Sequence, residues 1–209
     1  MRLLVFGQQG SGKGTQAKLL AEHLKIPHIS TGDLVREEIM KDTDLGNKIS
    51  SLVERGVLVP DALILELLRQ RLSKPDALKG FILDGFPRNE QQQQTLDKLT
   101  QIDVALFLHI PETVATERLS ARRTCRGCGK IYGKDRPPKL PGRCDACGNE
   151  LYQRADDWPD AIKQRFKIFR EETMPVIRAY QSQGKLVQIN ADQSVESVFM
   201  QIKQALKLG

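Results

Sequence analysis

The sequence begins MRLLVFGQQGSGKGTQAKLL (residues 1–20), and this stretch predicts the class of the fold. Residues 3–6 are an unbroken apolar run that ends at Gly7, which is typical of a buried parallel strand. Residues 13–24 then carry apolar side chains at helical spacing, so a helix is expected to pack on that strand. A strand, a glycine-rich loop and a helix in this order form the first unit of an α/β sheet.

The loop between this strand and helix has the Walker A spacing, in which Gly7 and Gly12 stand five residues apart and Lys13 follows. Glycines at these positions let backbone N–H groups converge on phosphate oxygens, and the helix N-terminus adds positive potential. The lysine supplies a mobile full charge to the β and γ phosphates. The loop therefore predicts a nucleotide triphosphate site.

The residue after the lysine departs from this pattern, because Gly14 stands where a serine or threonine is usual and Thr15 follows one position late. The usual hydroxyl ligand of Mg²⁺ is therefore displaced. Asp84 follows the apolar residues 81–83 and is expected to hold the metal instead, since ligands gather at the carboxyl ends of strands. A lone aspartate is also a common helix or turn cap, and this alternative stays open.

Further strands and helices alternate along the chain. Short apolar runs predict strands at residues 81–83, 104–110 and 186–189, and helical patterns cover residues 32–72, 159–183 and 195–208. Gly56 and Pro60 are expected to break the first helical region, and Pro175 to kink or split the second. The sequence thus predicts an α/β fold of the P-loop NTPase type, a parallel sheet with helices on both faces.

Composition fits one globular core with small inserts. The chain has 209 residues, 40% hydrophobic and 28% charged, which argues against a disordered or fibrous protein. No apolar run is long enough to span a bilayer, and Gly7 interrupts the first apolar run before a signal-like region can develop. We therefore expect a cytoplasmic protein with no membrane partner.

The net charge of +6 is concentrated in one segment. Residues 118–154 hold ten basic residues and three acidic ones, which accounts for the whole excess and indicates a polyanionic partner. Binding of single-stranded nucleic acid would call for aromatic side chains among the basic ones. The segment has just Tyr132 and Tyr152, and aromatic residues make up 5% of the chain, so nucleotides are favoured over nucleic acid.

The four cysteines of the chain lie in the same segment, which is rich in glycine and proline and is expected to be irregular in structure. They form two C-x-x-C pairs fifteen residues apart, Cys125 with Cys128 and Cys144 with Cys147. This spacing is typical of a zinc ribbon, where four thiolates fill a tetrahedral ion and leave no position for substrate. A structural metal is predicted, and iron or cobalt also fit a site of four sulfurs. Because arginines flank the segment, it is expected to close over phosphates as a lid.

Several motifs in order resemble the adenylate kinase family of nucleoside-monophosphate kinases. They are Gly-Lys-Gly-Thr at 12–15, Ser-Thr-Gly-Asp at 30–33, Asp-Gly-Phe-Pro-Arg at 84–88, Gln92, Arg122 with Arg123, the cysteine segment, Arg-Ala-Asp-Asp at 154–157, and Arg165. The resemblance covers essentially the whole chain. It implies a core of residues 1–29, 60–121 and 155–209, a helical AMP-binding insert at 30–59, and a zinc-binding lid at 122–154.

The resemblance also implies a role for individual residues. The catalytic set is Lys13, Arg88, Arg122, Arg154 and Arg165. ATP would contact Gly10, Ser11, Gly12, Lys13, Gly14, Thr15, Arg118, Arg122, Ile131, Tyr132 and Gln193. AMP would contact Thr31, Arg36, Val57, Leu58, Val59, Gly85, Phe86, Pro87, Arg88, Gln92, Arg154 and Arg165. Asp84 and Asp33 would hold Mg²⁺ through water, and Asp33, Asp156 and Asp157 would orient the arginines and the water shell or serve as helix caps.

The expected reaction is ATP + AMP ⇌ 2 ADP with Mg²⁺, on a protein expected to be a monomer without a nucleic-acid partner. The acceptor phosphate is already an anionic nucleophile, so alignment and charge neutralisation suffice and no general base is needed. Arginines suit this task because their planar forks hold phosphate oxygens in pairs and stay protonated. A uridylate or cytidylate kinase is the alternative within enzymes, and a zinc-ribbon NTPase that binds nucleic acid is the alternative from another class.

Overall fold

A computed structural model of the chain describes residues 1–41, 43–54, 59–134 and 136–208. Its elements alternate between strands and helices, with one 3₁₀ turn (Ala155–Asp157) and one π-type segment (Phe169–Thr173). In chain order the strands and helices are β1 (Arg2–Phe6), α1 (Lys13–Leu24), β2 (His28–Ser30), α2 (Thr31–Ile39), α3 (Asp44–Glu54), α4 (Asp61–Leu72), α5 (Pro75–Leu78), β3 (Phe81–Asp84), α6 (Glu90–Leu99), β4 (Val104–His109), α7 (Glu112–Ala121), β5 (Arg123–Cys125), β6 (Ile131–Tyr132), β7 (Leu151–Tyr152), α8 (Pro159–Ile168), α9 (Met174–Ser182), β8 (Leu186–Asn190) and α10 (Val195–Ala205).

The main sheet is parallel, as the sequence predicts, and its described strands lie in the order β2-β3-β1-β4-β8. The chain leaves β1 toward the β2 edge and leaves β4 toward the β8 edge. Neighbouring strands whose connections diverge in this way open a crevice at their carboxyl ends, where ligands bind in open α/β sheets. The glycine loop follows β1 and therefore lies at this crevice.

Both faces of the sheet are buried, which explains the unbroken apolar run of β1. Leu3 and Val5 belong to one hydrophobic cluster, which also holds side chains of α1, α7, α8 and α10. Leu4 and Phe6 point the other way, into a second cluster with side chains of α4, α5, α6 and α9. The sheet is thus a rigid layer between two sets of helices, and it fixes the position of every loop at its carboxyl edge.

The predicted helical regions are present in the described residues. The described residues between 32 and 72 include α2, α3 and α4, with Pro60 directly before α4, while Gly56 lies outside the described residues. The predicted interruption near Pro175 is seen as the π-type segment, after which Pro175 lies in the first turn of α9. A proline there is tolerated because its missing N–H falls where helical bonding changes.

Two parts of the fold were not predicted from the sequence. Strand β2 is three residues long with one buried apolar residue, Ile29, and its last residue Ser30 already caps α2 by accepting a hydrogen bond from Asp33 N at 3.3 Å. So short a strand carries no periodic signal. Helix α5 is a single turn, and its four residues are likewise too few for a helical period.

The cysteine segment is more ordered than expected. Strands β5, β6 and β7 form a small antiparallel sheet in the order β6-β5-β7, where the sequence indicated an irregular insert. Its buried cluster consists of Cys125, Tyr132, Cys144 and Leu151. Two of these four are cysteines, so this small core depends on what the thiols do. Elsewhere, no helix in the described ranges combines the length and apolarity that crossing a membrane demands.

Candidate active site

The glycine loop adopts a conformation that its glycines allow. Gly10 and Gly12 have φ of 86° and 85°, in the left-handed region that other residues avoid. A Cβ at Gly10 would also lie 2.8 Å from the carbonyl oxygen of Ala115. The loop therefore lies tight against α7, and Lys13, the first residue of α1, donates from Nζ to the Gln8 carbonyl at 3.0 Å.

The loop has free donors for an anion. Gly12 precedes α1 and has no side chain that could cap the N–H groups of the first turn. The Ser11 hydroxyl is buried without a hydrogen-bond partner among the described residues. Buried polar groups without a partner are costly, and a phosphate would bond to both the hydroxyl and the first-turn N–H groups.

Lys13 and Asp84 face each other across the loop. Burial lowers the pKa of Lys13 to about 8, while the nearby Asp84 carboxylate raises it and the closest arginines lower it further. Asp84 Oδ2 is 3.5 Å from where a Cβ at Gly14 would stand, so a hydroxyl at position 14 would project beside this carboxylate. Asp84 therefore presents a carboxylate oxygen beside the glycine loop. His28 Nε2 lies 3.6 Å from the same oxygen.

Two of the predicted catalytic arginines, Arg122 and Arg165, are held by carboxylates. Arg122 donates from Nε to Asp157 Oδ2 at 2.8 Å, and its Nη2 pairs with the other oxygen of this buried carboxylate. Arg165 pairs with Asp156 Oδ2 at 2.7 Å and lies 3.6 Å from Asp157 Oδ1. The 3₁₀ turn that carries both aspartates thus orients two arginines at once.

Arg88 is held through both its side chain and its backbone. Its Nε donates to the Gly85 carbonyl at 2.7 Å, and its own carbonyl accepts from Thr173 Oγ1 at 2.9 Å. Thr173 belongs to the π-type segment between α8 and α9. This irregular segment therefore holds the backbone of Arg88 in place. Sequence reasoning did not identify Thr173, since a threonine within a helical stretch carries no signal of its own.

These cations share one electrostatic environment. Burial is the largest cause that lowers the pKa of Arg165, which the nearby Arg122 and Arg88 lower further and Asp156 and Asp157 oppose. Arg88 is exposed to solvent within the crevice. The protein around its guanidinium displaces part of the water and so lowers its pKa, whereas the nearby Asp84 carboxylate raises it. Burial lowers the pKa of Arg154, and the nearby charges of Arg122 and Arg36 lower it further. Side chains from the β1 loop, the β3 loop, the lid and α8 therefore converge, and their mutual repulsion favours a polyanion between them.

Thr31 and Gly85, two of the predicted AMP residues, contact each other beside Arg88. Thr31 is buried and donates from Oγ1 to the Gly85 carbonyl at 3.0 Å, and Gly85 has φ of 83°. Arg36 pairs with Asp33 one turn along α2, so that predicted magnesium residue has an arginine partner in this structure. Phe86 and Pro87 are buried, and Val59 is half-buried. Val57 and Leu58 lie outside the described residues.

Gln92 is the most tightly held of the predicted AMP residues. Its Oε1 accepts from Arg88 N at 2.7 Å, and its Nε2 donates to Asp61 Oδ1 at 2.7 Å. The other Asp61 oxygen accepts from Asn89 Nδ2 at 3.1 Å, and Asn89 caps α6 by accepting from Gln92 N at 2.8 Å. Asp61 is a second residue that the sequence analysis did not identify.

Arg118 and Gln193, two of the predicted ATP residues, meet between α7 and the loop after β8. Arg118 donates from its two Nη atoms to the carbonyls of Ala191 at 3.1 Å and Gln193 at 3.4 Å. The guanidinium therefore fixes the loop after β8 against α7. Arg118 and Gln193, far apart in sequence, are neighbours here.

The four cysteine sulfurs form a cluster within the lid (residues 122–154). All four Sγ atoms lie within 4.8 Å of one another, with 3.4 Å between Cys125 and Cys147 and 3.5 Å between Cys128 and Cys144. A tetrahedral ion with metal–sulfur bonds of about 2.3 Å requires sulfurs about 3.8 Å apart, so the cluster fits one metal ion.

Tyr132 is part of this cluster's surroundings. Its buried hydroxyl lies 3.3 Å from Cys144 Sγ, and this contact lowers the pKa of that thiol to about 6. The same hydroxyl accepts from Asp145 N at 2.7 Å. The Tyr132 side chain thus lies in the interior of the lid, whereas the side chain of the neighbouring Ile131 is 46% exposed.

Polar contacts join the two chain segments at the base of the lid and connect the lid with the core. Arg154 donates from Nε to Thr124 Oγ1 at 2.9 Å, which joins the two chain segments that enter and leave the lid. Lys134 pairs with Glu117 of α7 at 3.3 Å, and Arg136 pairs with Glu196 of α10. These two pairs are exposed, and exposed pairs contribute little stability. The lid therefore contacts α7 and α10 through ion pairs that are easily exchanged.

A glycine loop on β1, a half-buried lysine and converging arginines define a P-loop phosphotransferase. A family model described as adenylate kinase matches residues 5–185 of the chain. The chain belongs to the adenylate kinase family.

Individual relatives agree along the full length. The adenylate kinase of Thermosipho melanesiensis is 43% identical over 213 aligned residues, which cover 99% of this chain and 100% of that protein. The adenylate kinase of Methanocella arvoryzae is 43% identical and covers 99% of each chain. That of Archaeoglobus fulgidus is 40% identical and covers 99% of this chain and 98% of its own.

Proposed function

We propose that the protein catalyses the reversible, Mg²⁺-dependent reaction ATP + AMP ⇌ 2 ADP. The observation that carries this proposal is the convergence of Lys13 and four arginines from separate segments at the carboxyl edge of the sheet. So much positive charge suits two nucleotides that meet phosphate to phosphate. Family membership supports the same reaction.

Each charged group has one task in the proposed reaction. Lys13 and the glycine loop hold the β and γ phosphates of ATP, and Arg88 holds the α phosphate of AMP. Arg122, Arg154 and Arg165 stabilise the charge of the phosphoryl group as it passes between them. An AMP phosphate oxygen attacks the γ phosphorus, the bond to the bridging oxygen of ADP breaks, and no proton has to move. Charge neutralisation and alignment supply the rate.

Two metals belong to the proposal. Mg²⁺ would accompany ATP, held through water by Asp84 and, less directly, by Asp33, and it would neutralise phosphate charge. The four lid cysteines would hold a structural Zn²⁺, which their spacing and sulfur chemistry favour, although iron or cobalt has the same ligand preference. The hydroxyl of Tyr132 and the amide of Asn149, 3.4 Å from Cys147 Sγ, would stabilise the thiolates.

The proposed division of the chain follows from these roles. Residues 1–29, 60–121 and 155–209 would form the core, residues 30–59 the AMP-binding insert and residues 122–154 the lid. Closure of the lid would bring Arg122 and Arg154 onto the phosphates and exclude the water that would otherwise hydrolyse ATP. We further propose a monomer that works on free nucleotides in the cytoplasm, where thiols stay reduced.

ATP binding should depend on pH through Lys13. Its pKa of about 8 means that the ammonium form predominates below this pH and the neutral form above it. Phosphates bind the ammonium form and raise its pKa, so ATP binding should take up a proton at about pH 9 and almost none at about pH 7. Affinity should therefore be flat below pH 8 and fall above it. Calorimetry with a non-hydrolysable ATP analogue, in two buffers of different ionisation enthalpy, measures this uptake.

The matched control for this prediction is Lys13→Arg, since arginine stays charged and its complex should take up no such proton. Equal proton uptake by the parent and Lys13→Arg proteins at high pH would contradict the assignment to Lys13.

A substrate panel tests the proposed function. ADP formation from ATP is measured with AMP, UMP, CMP and GMP as acceptors, and the same sample is analysed for zinc, iron and cobalt. We expect AMP to be used with the highest kcat/KM and one metal ion per chain. A preference for UMP or CMP would contradict the proposal and assign the protein to the pyrimidine-nucleotide kinases.

A further inference from the structure

Asp61 is the first residue of α4, and its two oxygens bind two amide side chains of the neighbouring helix. Oδ1 accepts from Gln92 Nε2 at 2.7 Å, and Oδ2 accepts from Asn89 Nδ2 at 3.1 Å. The network is closed, because Asn89 Oδ1 accepts from Gln92 N and Gln92 Oε1 accepts from Arg88 N at 2.7 Å. Gln92 itself is 5% exposed.

These contacts fix which end of the Gln92 amide is oxygen and which is nitrogen. A carboxylate accepts hydrogen bonds and cannot donate, so the atom that faces Asp61 has to be the nitrogen. A backbone N–H donates and cannot accept, so the atom that faces Arg88 N has to be the oxygen. A flipped amide would set two oxygens against each other at one end and two N–H groups at the other.

The orientation matters for a purine base. After these two bonds, the Gln92 amide has one N–H and one oxygen lone pair left to offer a ligand. On the edge that carries N1, adenine presents a ring acceptor beside its 6-amino donor, whereas a 6-oxopurine presents a ring N–H donor beside an acceptor oxygen. The two patterns are reversed, so an amide of fixed orientation matches one and opposes the other.

We propose that Asp61 is a specificity-determining positioning residue, which locks the Gln92 amide in the orientation that selects 6-aminopurine over 6-oxopurine monophosphates. This inference rests on the proposed function, in which Gln92 lies against the base of AMP. Asp61 itself does not contact the nucleotide; it acts through Gln92 and through the cap residue Asn89.

Two simpler roles for Asp61 make different predictions. As a charge near Arg88, it opposes the lowering of that residue's pKa. Its neutralisation would then strengthen the binding of every monophosphate alike. As an acid in the first turn of α4, it interacts with the helix dipole. Loss of that interaction would lower Tm and leave the choice of base unchanged.

The test is Asp61→Asn, which keeps the shape and removes one acceptor. The asparagine has one oxygen for two amide nitrogens, so either Gln92 or Asn89 loses its partner, and Arg88 N–H is then the one remaining contact of the network that opposes a flip of the Gln92 amide. We expect the KM for AMP to rise about tenfold and the preference for AMP over IMP, in kcat/KM, to fall about tenfold, with the KM for ATP unchanged. Glu90→Gln is the matched control, since Glu90 is an exposed first-turn acid of α6 two residues from Gln92.

A compensating double variant separates positioning from mere structure. In D61N/N89D the carboxylate moves to position 89, where one oxygen still caps α6 and the other accepts from the asparagine at 61. The asparagine oxygen is then free to accept from Gln92 Nε2. The preference for AMP over IMP should return to within about threefold of the parent value, given the size of a single hydrogen bond. Thermal unfolding of every variant shows whether it folds.

The outcomes distinguish this inference from the proposed function. If Gln92→Ala leaves both the KM for AMP and the base preference unchanged, the AMP site itself is misplaced. If Gln92→Ala changes them and Asp61→Asn does not, the role of Asp61 is wrong and the site stands. Equal shifts for AMP and IMP in Asp61→Asn would show a charge effect alone and would likewise overturn the inference.

Discussion

Replacing Arg88 by alanine should slow phosphoryl transfer by about 10²- to 10³-fold, the usual effect of removing one preorganised donor that acts on developing charge. Arg88 is held by the Gly85 carbonyl and, through its backbone, by Thr173 and Gln92, so its guanidinium is fixed before substrate arrives. The loss corresponds to about 3–4 kcal/mol of transition-state stabilisation. Steady-state kinetics with both substrates saturating measures it.

Two variants control this prediction. Arg88→Lys keeps the charge and loses the planar fork, so it should recover part of the rate but not all of it. Arg69→Ala removes an exposed arginine of α4 and should leave kcat within about twofold, as surface substitutions usually do. Turnover of Arg88→Ala near the parent value would show that the acceptor phosphate binds elsewhere.

Removing the lid metal should cost stability far more than chemistry. The lid core consists of Cys125, Tyr132, Cys144 and Leu151, too small a cluster to fold without a metal. Even about 3 kcal/mol of the metal's binding energy would correspond to a fall in Tm of roughly 6–12 °C for a chain of this size. Calorimetry should therefore show a lower Tm for the chelated protein and for Cys128→Ser.

Leu140→Ser is the control for this experiment, because Leu140 is exposed in the lid and its side chain is no ligand. Its Tm should stay close to that of the parent protein. At a temperature where all variants are folded, Cys128→Ser should keep kcat within about tenfold, since no cysteine contacts the phosphates in the proposed site. Equal Tm of metal-free and metal-bound protein would refute a structural role of the metal.

The sequence predicted the parts of the fold that short, local patterns determine. The run at residues 3–6 is apolar throughout because both faces of β1 are buried, and the glycine loop has its spacing because Gly10 and Gly12 adopt positive φ. The cysteine spacing likewise predicted the cluster of four sulfurs. Patterns of this kind depend on a few neighbouring residues and can be recognised without knowledge of the tertiary structure.

The supporting residues could not be predicted in this way. Asp61 meets Gln92 and Asn89 from about thirty positions away in the chain, and Thr173 meets Arg88 from farther still. These contacts form because α4, α6 and the π-type segment pack side by side, which no local pattern encodes. Strand β2 was missed for a different reason, since three residues are too few for a period of two to be recognised.

The structure also refines what the net charge means. Several lid cations lie on the surface in ion pairs, Arg126 with Glu150 and Arg136 with Glu196, where they are about 60% exposed. Arg122 and Arg154 of the lid, together with Arg165 of α8, are instead turned inward, and burial lowers the pKa of Arg154 and Arg165. The charge excess of the basic segment is thus larger than the positive charge available to the proposed phosphate site, because a minority of the segment's cations belong to that site.

The most direct test of the central claim is the stoichiometry and reversibility of the reaction. Purified protein with Mg²⁺, ATP and AMP should form two ADP for each ATP consumed and release no inorganic phosphate, and the same protein given ADP alone should form ATP and AMP in equal amounts. Nucleotides separated by chromatography, together with a phosphate assay, give all of these quantities. One ADP and one phosphate per ATP, whether or not AMP is present, would show a hydrolase and contradict phosphoryl transfer between two bound nucleotides.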